Sequence, residues 1–243
     1  MTALIHAQLV QLRTLRSTYL VAGSLVALVA LITGITMGEA GTPDLRTESQ
    51  LREPLVASAG IMVAVVMAIF AATRVAGEYR HATIAQRVLA SPRRPRFVAA
   101  TLVVHAALAA LVTAAAFGAG AAIAGPLLAS KDLTTGLAGG ELAQVGAAVV
   151  LAGTTFALLG AAVGFLTRSQ APAVVTLFAV FFAEKLFGGA LGPAGDYLPY
   201  ALLNSLLELD GALSVGLAAF VLTTIAGALC GLAATTAARR DIA

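Results

Sequence analysis

Residues 97–124 read FVAATLVVHAALAALVTAAAFGAGAAIA, an unbroken run that contains no Asp, Glu, Lys or Arg. A helix needs about 20 mostly apolar residues to cross the hydrocarbon core of a lipid bilayer. The run exceeds that length, and neither Pro nor any charged residue interrupts it. We therefore predict a membrane-spanning helix over 97–124.

The rest of the chain has a similar composition. Of its 243 residues, 59% are hydrophobic and only 11% are charged, whereas a soluble domain carries about 25% charged residues. Five further apolar runs are candidates for membrane spans. The run 171–187 is the weakest of them, because it contains Glu184 and Lys185. The predicted fold is an all-α integral membrane protein, with one transmembrane domain over 1–243. Its six predicted spans are 19–37, 55–73, 97–124, 142–166, 171–187 and 213–234.

The placement of charges between the spans predicts their orientation. Most of the 15 Lys and Arg residues lie in the N-terminal segment, the second and fourth loops, and the C-terminus. Loops rich in Lys and Arg stay in the cytoplasm, so we expect a multi-pass protein with both termini cytoplasmic. Because these residues lie between apolar runs, we expect no nucleic-acid partner. The exceptions, in the first, third and fifth loops, are Arg46, Arg52, Lys131 and Lys185.

The segment before the first span, 3–17, has an amphipathic pattern. Ile5, Leu9 and Leu12 fall near one face of a helix, and Arg13 falls on another. This pattern predicts a helix that lies in the cytoplasmic membrane interface. The alternative is a simple extension of the first span into water. We expect no cleaved signal peptide, because the following apolar run is longer than a usual signal sequence.

The second loop is the least lipid-like part of the chain, and residues 74–96 read RVAGEYRHATIAQRVLASPRRPR. Gly77 is expected to interrupt the helix of the second span. Thr83 and Gln86 have the spacing of a capping box, which predicts a short helix that starts at Ile84. Pro92 is expected to end it. The loop over 76–92 is therefore predicted to hold a short basic helix between two spans.

Two interpretations of this loop are open on residue chemistry alone. A short capped helix between two spans is a suitable contact for a partner that moves both spans together. Alternatively, the loop is a basic anchor that binds anionic lipid headgroups.

Several short motifs resemble one family of transporters. The run EYRHATI at 78–84, with SPRR at 91–94 and RFVAA at 96–100, resembles the first cytoplasmic loop of type-2 ABC transporter permeases. The nearest group is the six-span export permeases of actinobacteria. Ala82 and Thr101 depart from the family pattern, which usually has Gly and Lys there. Further similar stretches are LRTLRS at 12–17, YLPY at 197–200 and ARRD at 238–241.

This resemblance implies a coupling helix that binds in a groove of a separate ATPase subunit. It implies two ATPase copies and a second permease subunit, identical or paralogous, in the plasma membrane of a bacterium. Glu78 would pair with a basic group on the ATPase, unless it pairs with Arg74 or Arg80 in its own chain. The residues assigned to the coupling interface are Glu78, Tyr79, Arg80, His81, Thr83, Ile84, Arg87 and Val88.

No enzyme signature occurs in the sequence. Lys131 and Lys185 are the only lysines, and neither follows a phosphate-binding glycine loop. No zinc-protease motif or Cys/His cluster occurs, so we predict no catalytic residue, no metal and no cofactor. The implied function is export of a hydrophobic or amphipathic substrate, with ATP hydrolysed by the partner. An intramembrane enzyme and a non-transporting immunity or scaffold protein are the alternatives.

Three further features carry predictions. His105 lies inside the third span, where an ionisable residue is a candidate for a substrate path; the alternative is a neutral imidazole bonded to a neighbouring helix. The stretch 187–207 is too apolar for an exposed loop, and it predicts short re-entrant helices or a surface-lying amphipathic segment. Two GxxxG motifs, 160–164 and 227–231, predict close helix packing within the chain or between chains.

Overall fold

A computed structural model describes residues 2–39, 48–80, 94–133, 139–209 and 211–239. Throughout these ranges the regular structure is helical, and they contain no β-strand. The first half comprises α1 (Thr2–Thr14), α2 (Arg16–Glu39), α3 (Glu48–Val56), a π-helical stretch (Ala57–Met62), α4 (Val63–Arg80) and α5 (Arg94–Ala129). The second half comprises α6 (Gly140–Thr167), α7 (Gln170–Phe187), a 3-10 helix (Gly188–Tyr197), α8 (Pro199–Leu206) and α9 (Val215–Arg239).

Six helical segments of the described chain are long and apolar enough to cross a membrane, which confirms the predicted number. Each contains one predicted run, except that the last begins two residues later than predicted. The second segment joins the end of α3, the π-helical stretch and α4 into one continuous helix. The segments are Arg16–Glu39, Arg52–Tyr79, Pro95–Ala129, Gly140–Thr167, Gln170–Tyr197 and Val215–Ala237.

Helices α4 and α6 form the centre of the bundle. In the apolar parts of the segments that contain them, 67% of the residues are buried, compared with 22%, 11% and 17% for the segments of α2, α7 and α9. We call α4 and α6 the inner pair, and α2, α7 and α9 the outer helices. The inner pair also makes the most extensive helix–helix interface in the bundle.

Small residues explain why the inner pair packs so closely. A Cβ atom added at Gly160 would lie 1.9 Å from the carbonyl oxygen of Ala68, and one at Gly164 would lie 2.7 Å from that of Ala72. The first GxxxG motif therefore packs within the chain, where its glycines let two backbones touch. In contrast, added Cβ atoms at Gly227 and Gly231 would meet nothing within 4 Å.

The bundle has two ends, which we name after the second loop. At the loop end α4 and α6 finish, and α5 and α7 begin. At the opposite, far end, the 3-10 helix and α8 follow α7, which confirms the prediction of short helices in 187–207. Leu202, Leu203 and Leu206 of α8 are fully buried, so α8 is part of the core rather than a surface segment.

The N-terminal segment forms a helix of its own, but it differs from the prediction. Helix α1 ends at Thr14 instead of residue 17, and Leu15 separates it from α2. Among the α1 side chains that the structure describes, the buried one is the polar Gln8, which is 5% exposed, whereas Leu9 and Val10 are 47% and 46% exposed. Leu9 and Val10 therefore face outward, whereas Leu4 and Ile5 are partly buried.

Candidate functional site at the loop end of the bundle

The predicted coupling residues divide into two groups. Glu78, Tyr79 and Arg80 form the last turn of α4. The remaining five lie outside the described residues, as does the predicted short helix. Those five are His81, Thr83, Ile84, Arg87 and Val88.

The prediction that Gly77 interrupts the second span is wrong. Helix α4 continues through Gly77 to Arg80. A Cβ atom added at Gly77 would lie 2.7 Å from Nε2 of Gln170, so the residue provides room for the first turn of α7. The Gln170 Nε2 also donates a hydrogen bond to the carbonyl oxygen of Thr73, at 3.2 Å. Gly77 thus lets the Gln170 side chain approach α4 closely, and it does not end the helix.

Tyr79 links the end of α4 to the end of α6. Its ring makes an edge-to-face contact with Phe165, with centroids 6.4 Å apart and ring planes at 87°. The guanidinium carbon of Arg168 lies 5.4 Å from the centre of the Tyr79 ring, which is within the range of a cation–π interaction. These contacts bring the end of α4, the end of α6 and the connection from α6 to α7 to one point.

Arg168 reaches Tyr79 from a special backbone position. It caps the C-terminus of α6 with φ of 56°, in the left-handed region, and its N–H donates to the carbonyl of Gly164 at 3.0 Å. A glycine is the usual residue in this conformation. Arg168 adopts this conformation although it carries a side chain, and that side chain contacts Tyr79.

We call the last two turns of α4, together with Arg168 and Gln170, the loop base. Within it, Glu78 is partly buried and has an interaction partner, so it is not a fully solvated carboxylate. The loop base holds the start of the second loop against α6 and α7.

The other side of the second loop is held to the N-terminal helix. Nε2 of Gln8 donates a hydrogen bond to Oγ1 of Thr101 at 3.0 Å, and that hydroxyl donates to the carbonyl of Phe97 at 3.1 Å. Thr101 is fully buried. The position where the resembled family usually has a lysine thus contacts α1 here instead of the surface.

His105 lies one turn further along α5, and it is 3% exposed. Its Nδ1 donates to the carbonyl oxygen of Thr101 at 2.8 Å. The predicted alternative of a bond to a neighbouring helix is therefore wrong for Nδ1, which bonds its own helix. Nε2 of His105 has no hydrogen-bond partner among the described residues, so the substrate path stays a prediction.

Gln8, Arg168 and Gln170 are the residues at this end that the sequence patterns did not single out. Each is a polar residue beside an apolar run, which is a weak signal because most such residues are merely solvated. Only the contacts with Thr101, Tyr79 and Thr73 distinguish them.

The described residues contain no group of three or more His, Cys, Asp or Glu side chains that could hold a metal ion. In sequence comparisons, no protein-family model and no curated protein matches this chain. Any inference about function therefore depends on the fold and on the loop base.

Proposed function

We propose that this chain is the membrane-spanning permease subunit of an ATP-driven ABC exporter. The observation that carries the proposal is the loop base. The second loop, which has the sequence EYRHATI, starts from the most deeply packed helix pair of the bundle, and Tyr79 is in contact with Phe165 and Arg168.

This arrangement suits a loop that receives force. A displacement of α4 at Tyr79 would act on α6 through Phe165 and on the α6–α7 connection through Arg168. The close backbone contact at Gly160 and Gly164 extends the same coupling along the helices, since packed interiors transmit strain rather than absorb it. On the other side of the loop, a displacement of α5 would act on α1 through Gln8 and Thr101.

The membrane placement is part of the proposal. The six apolar helices cross the plasma membrane of a bacterium, with the loop end and both termini in the cytoplasm. Helix α1 lies in the inner interface, with Leu9 and Val10 toward the lipid. The 3-10 helix and α8 form a re-entrant segment at the outer side, where Leu202, Leu203 and Leu206 anchor α8 in the bundle.

The energy source is a separate subunit. Two ATPase copies bind the loops of two permease subunits, which are identical or paralogous, and closure of the ATPases on ATP moves α4 and α5. The apolar spans favour a hydrophobic or amphipathic substrate over a highly charged one.

Affinity purification of the tagged chain from its native membrane tests the proposal. We expect an ATPase with a Walker motif to copurify, and Ile84→Asp to abolish this association because it puts a charge on an apolar contact. Glu78→Ala is expected to weaken it. Glu141→Ala is the matched control, because Glu141 is an exposed carboxylate at the far end.

The proposal fails if no ATPase copurifies with the wild-type chain, or if both loop variants retain assembly and ATPase-coupled transport. A stable complex with a different protein and no ATPase would favour the immunity or scaffold alternative.

A further inference from the structure

A polar cleft lies at the far end of the bundle, remote from the loop base. Its volume is about 380 Å³, and its wall is formed by the end of α7, the 3-10 helix, α8 and the chain before α9. This volume is in the range of small-ligand sites, which are about 300–1,000 Å³. Five glycines contribute to the wall, and its polar side chains are Glu184, Lys185, Asp196, Tyr200 and Asn204.

The fold builds this cleft from close backbone contacts. A Cβ atom added at Gly195 would lie 2.2 Å from the carbonyl oxygen of Gly188, so the 3-10 segment can close on itself only with glycine there. Gly192 has φ of 55°, a conformation that glycine adopts without strain. The glycines thus set the shape of the cleft and leave its polar side chains to define its chemistry.

Glu184 is the most informative group in the wall. It is 8% exposed, and its Oε1 accepts a hydrogen bond from the N–H of Ala201 at 2.6 Å. It therefore caps the N-terminus of α8, where a carboxylate is stabilised by free N–H groups. Its Oε2 is buried and has no hydrogen-bond partner among the described residues. A buried carboxylate oxygen without a donor is costly, and a bound donor would satisfy it.

The charges of the wall indicate the kind of donor. The wall contains two carboxylates, those of Glu184 and Asp196, and one ammonium group, that of Lys185. The Lys185 Nζ lies 5.2 Å from the centre of the Tyr200 ring, in a cation–π contact. No third acidic, His or Cys side chain makes a metal site with these two in the described chain.

We propose that this cleft binds a primary ammonium group, held by the Glu184 carboxylate. A small shift of the Glu184 side chain brings Oε2 to the cleft, where the ammonium donates one hydrogen bond to it. The other N–H groups of the ammonium have the Asp196 carboxylate and the Asn204 amide oxygen available in the same wall. The N–H of Ala201 keeps Oε1 in place, so the charged group is already oriented before a ligand enters. This site requires no ATPase and is independent of the function proposed above.

Two sources supply a primary ammonium group at a membrane surface, a free amine and the headgroup of phosphatidylethanolamine. Exposed apolar side chains adjoin the cleft on the same segment, with Leu186, Phe187 and Leu191 at 72%, 62% and 53% exposure. They offer acyl chains a surface beside the headgroup, and both sources are tested.

The lipid arm uses the full-length chain in detergent and native mass spectrometry. Equal amounts of phosphatidylethanolamine and phosphatidylcholine with the same acyl chains are added. We expect the wild-type chain to retain the ethanolamine lipid about tenfold better, the ratio for one charge-assisted hydrogen bond. Glu184→Gln should reduce this ratio to about one. The amide oxygen that this substitution introduces can still accept from the N–H of Ala201, so α8 keeps its cap. Glu141→Gln is the control and should leave the ratio unchanged.

The second arm uses ethanolamine alone, without lipid, and measures the shift of the thermal midpoint that accompanies ligand binding. A shift in the wild-type chain that Glu184→Gln removes supports the site for a free amine. Discrimination between the lipids alone assigns the site to the headgroup.

The proposal is overturned if the wild-type chain neither prefers the ethanolamine lipid nor responds to ethanolamine. This outcome is measured on the wild-type chain alone, so it does not depend on the folding of a variant. It is equally overturned if Glu184→Gln and Glu141→Gln behave alike.

Discussion

The inner pair and the outer helices differ in what they offer to their surroundings. Helices α4 and α6 meet backbone to backbone at Gly160 and Gly164, and the loop base lies at one end of this contact. Helix α7 instead exposes large apolar side chains, with Val175 at 63% and Phe182 at 62%, and it contributes to a polar cleft at the other end. Under the proposed function, the close packing of the inner pair serves to pass on force. The exposed apolar side chains of α7 then face lipid or a second subunit.

The strongest way to break this comparison is to add one methyl group to each GxxxG motif. Gly160→Ala should destabilise the chain by about 3 kcal/mol, because the new Cβ would overlap the backbone of Ala68. Gly227→Ala, the matched control, should change stability by less than about 1 kcal/mol, since it meets only open space and alanine favours helix. Thermal midpoints in detergent measure both. Equal effects would mean that the two motifs are not packed as described.

A second test concerns the loop base. Tyr79→Ala should cost about 2 kcal/mol, because it removes the ring contact with Phe165 and the cation–π contact with Arg168. Tyr79→Phe keeps both rings in place and should cost less than about 0.5 kcal/mol. If the account of force transfer is correct, Tyr79→Ala also lowers ATPase-coupled transport more than it lowers assembly. An alanine variant with unchanged stability and transport would show that Tyr79 transmits no force at the loop base.

The contact between α1 and α5 has a smaller expected effect. Gln8→Ala and Thr101→Val should each cost about 1 kcal/mol, the usual value for one hydrogen bond. The double variant should cost less than the sum, because both changes remove the same bond. Hydrogen exchange of α1 measures its release. Strictly additive losses would show that Gln8 and Thr101 act separately.

The smallest effect is expected at the far end. Arg52 and Glu208 form an ion pair with an N–O distance of 2.6 Å, but both side chains are partly exposed, at 28% and 48%. Such pairs contribute less than about 1 kcal/mol, so Arg52→Gln should leave the thermal midpoint nearly unchanged. Added salt screens the ion pair of the wild-type chain, so the difference in thermal midpoint between the wild-type chain and Arg52→Gln should become smaller still. A loss of stability as large as that expected for Tyr79→Ala would contradict the smaller effect expected at the far end.

The six helices could be predicted from the sequence because their signal is local. An apolar run such as 97–124 is sufficient by its length and lack of charge, whatever it packs against. The GxxxG motif at 160–164 predicted a close contact, but its partner, α4, could not be inferred from the motif. That partner is fixed by which helices the bundle brings together.

Non-local contacts also explain what the sequence did not predict. Gly77 has the character of a helix breaker, yet it makes room for Gln170, a residue far away along the chain. Gln8 has the character of a solvated residue in an amphipathic helix, yet Thr101 accepts its hydrogen bond. Glu184 marked the weak end of the fifth span, whereas its carboxylate caps α8. Each residue has two roles open to it, and tertiary structure selects one.

Site-specific photo-cross-linking tests the central claim most directly. A photoreactive amino acid replaces Ile84 in the second loop or, in a second chain, Asp196 beside the far-end cleft, and native membranes are irradiated. The account predicts that position 84 forms an adduct with a Walker-motif ATPase and that position 196 does not. An ATPase adduct from position 196 and none from position 84 would contradict it.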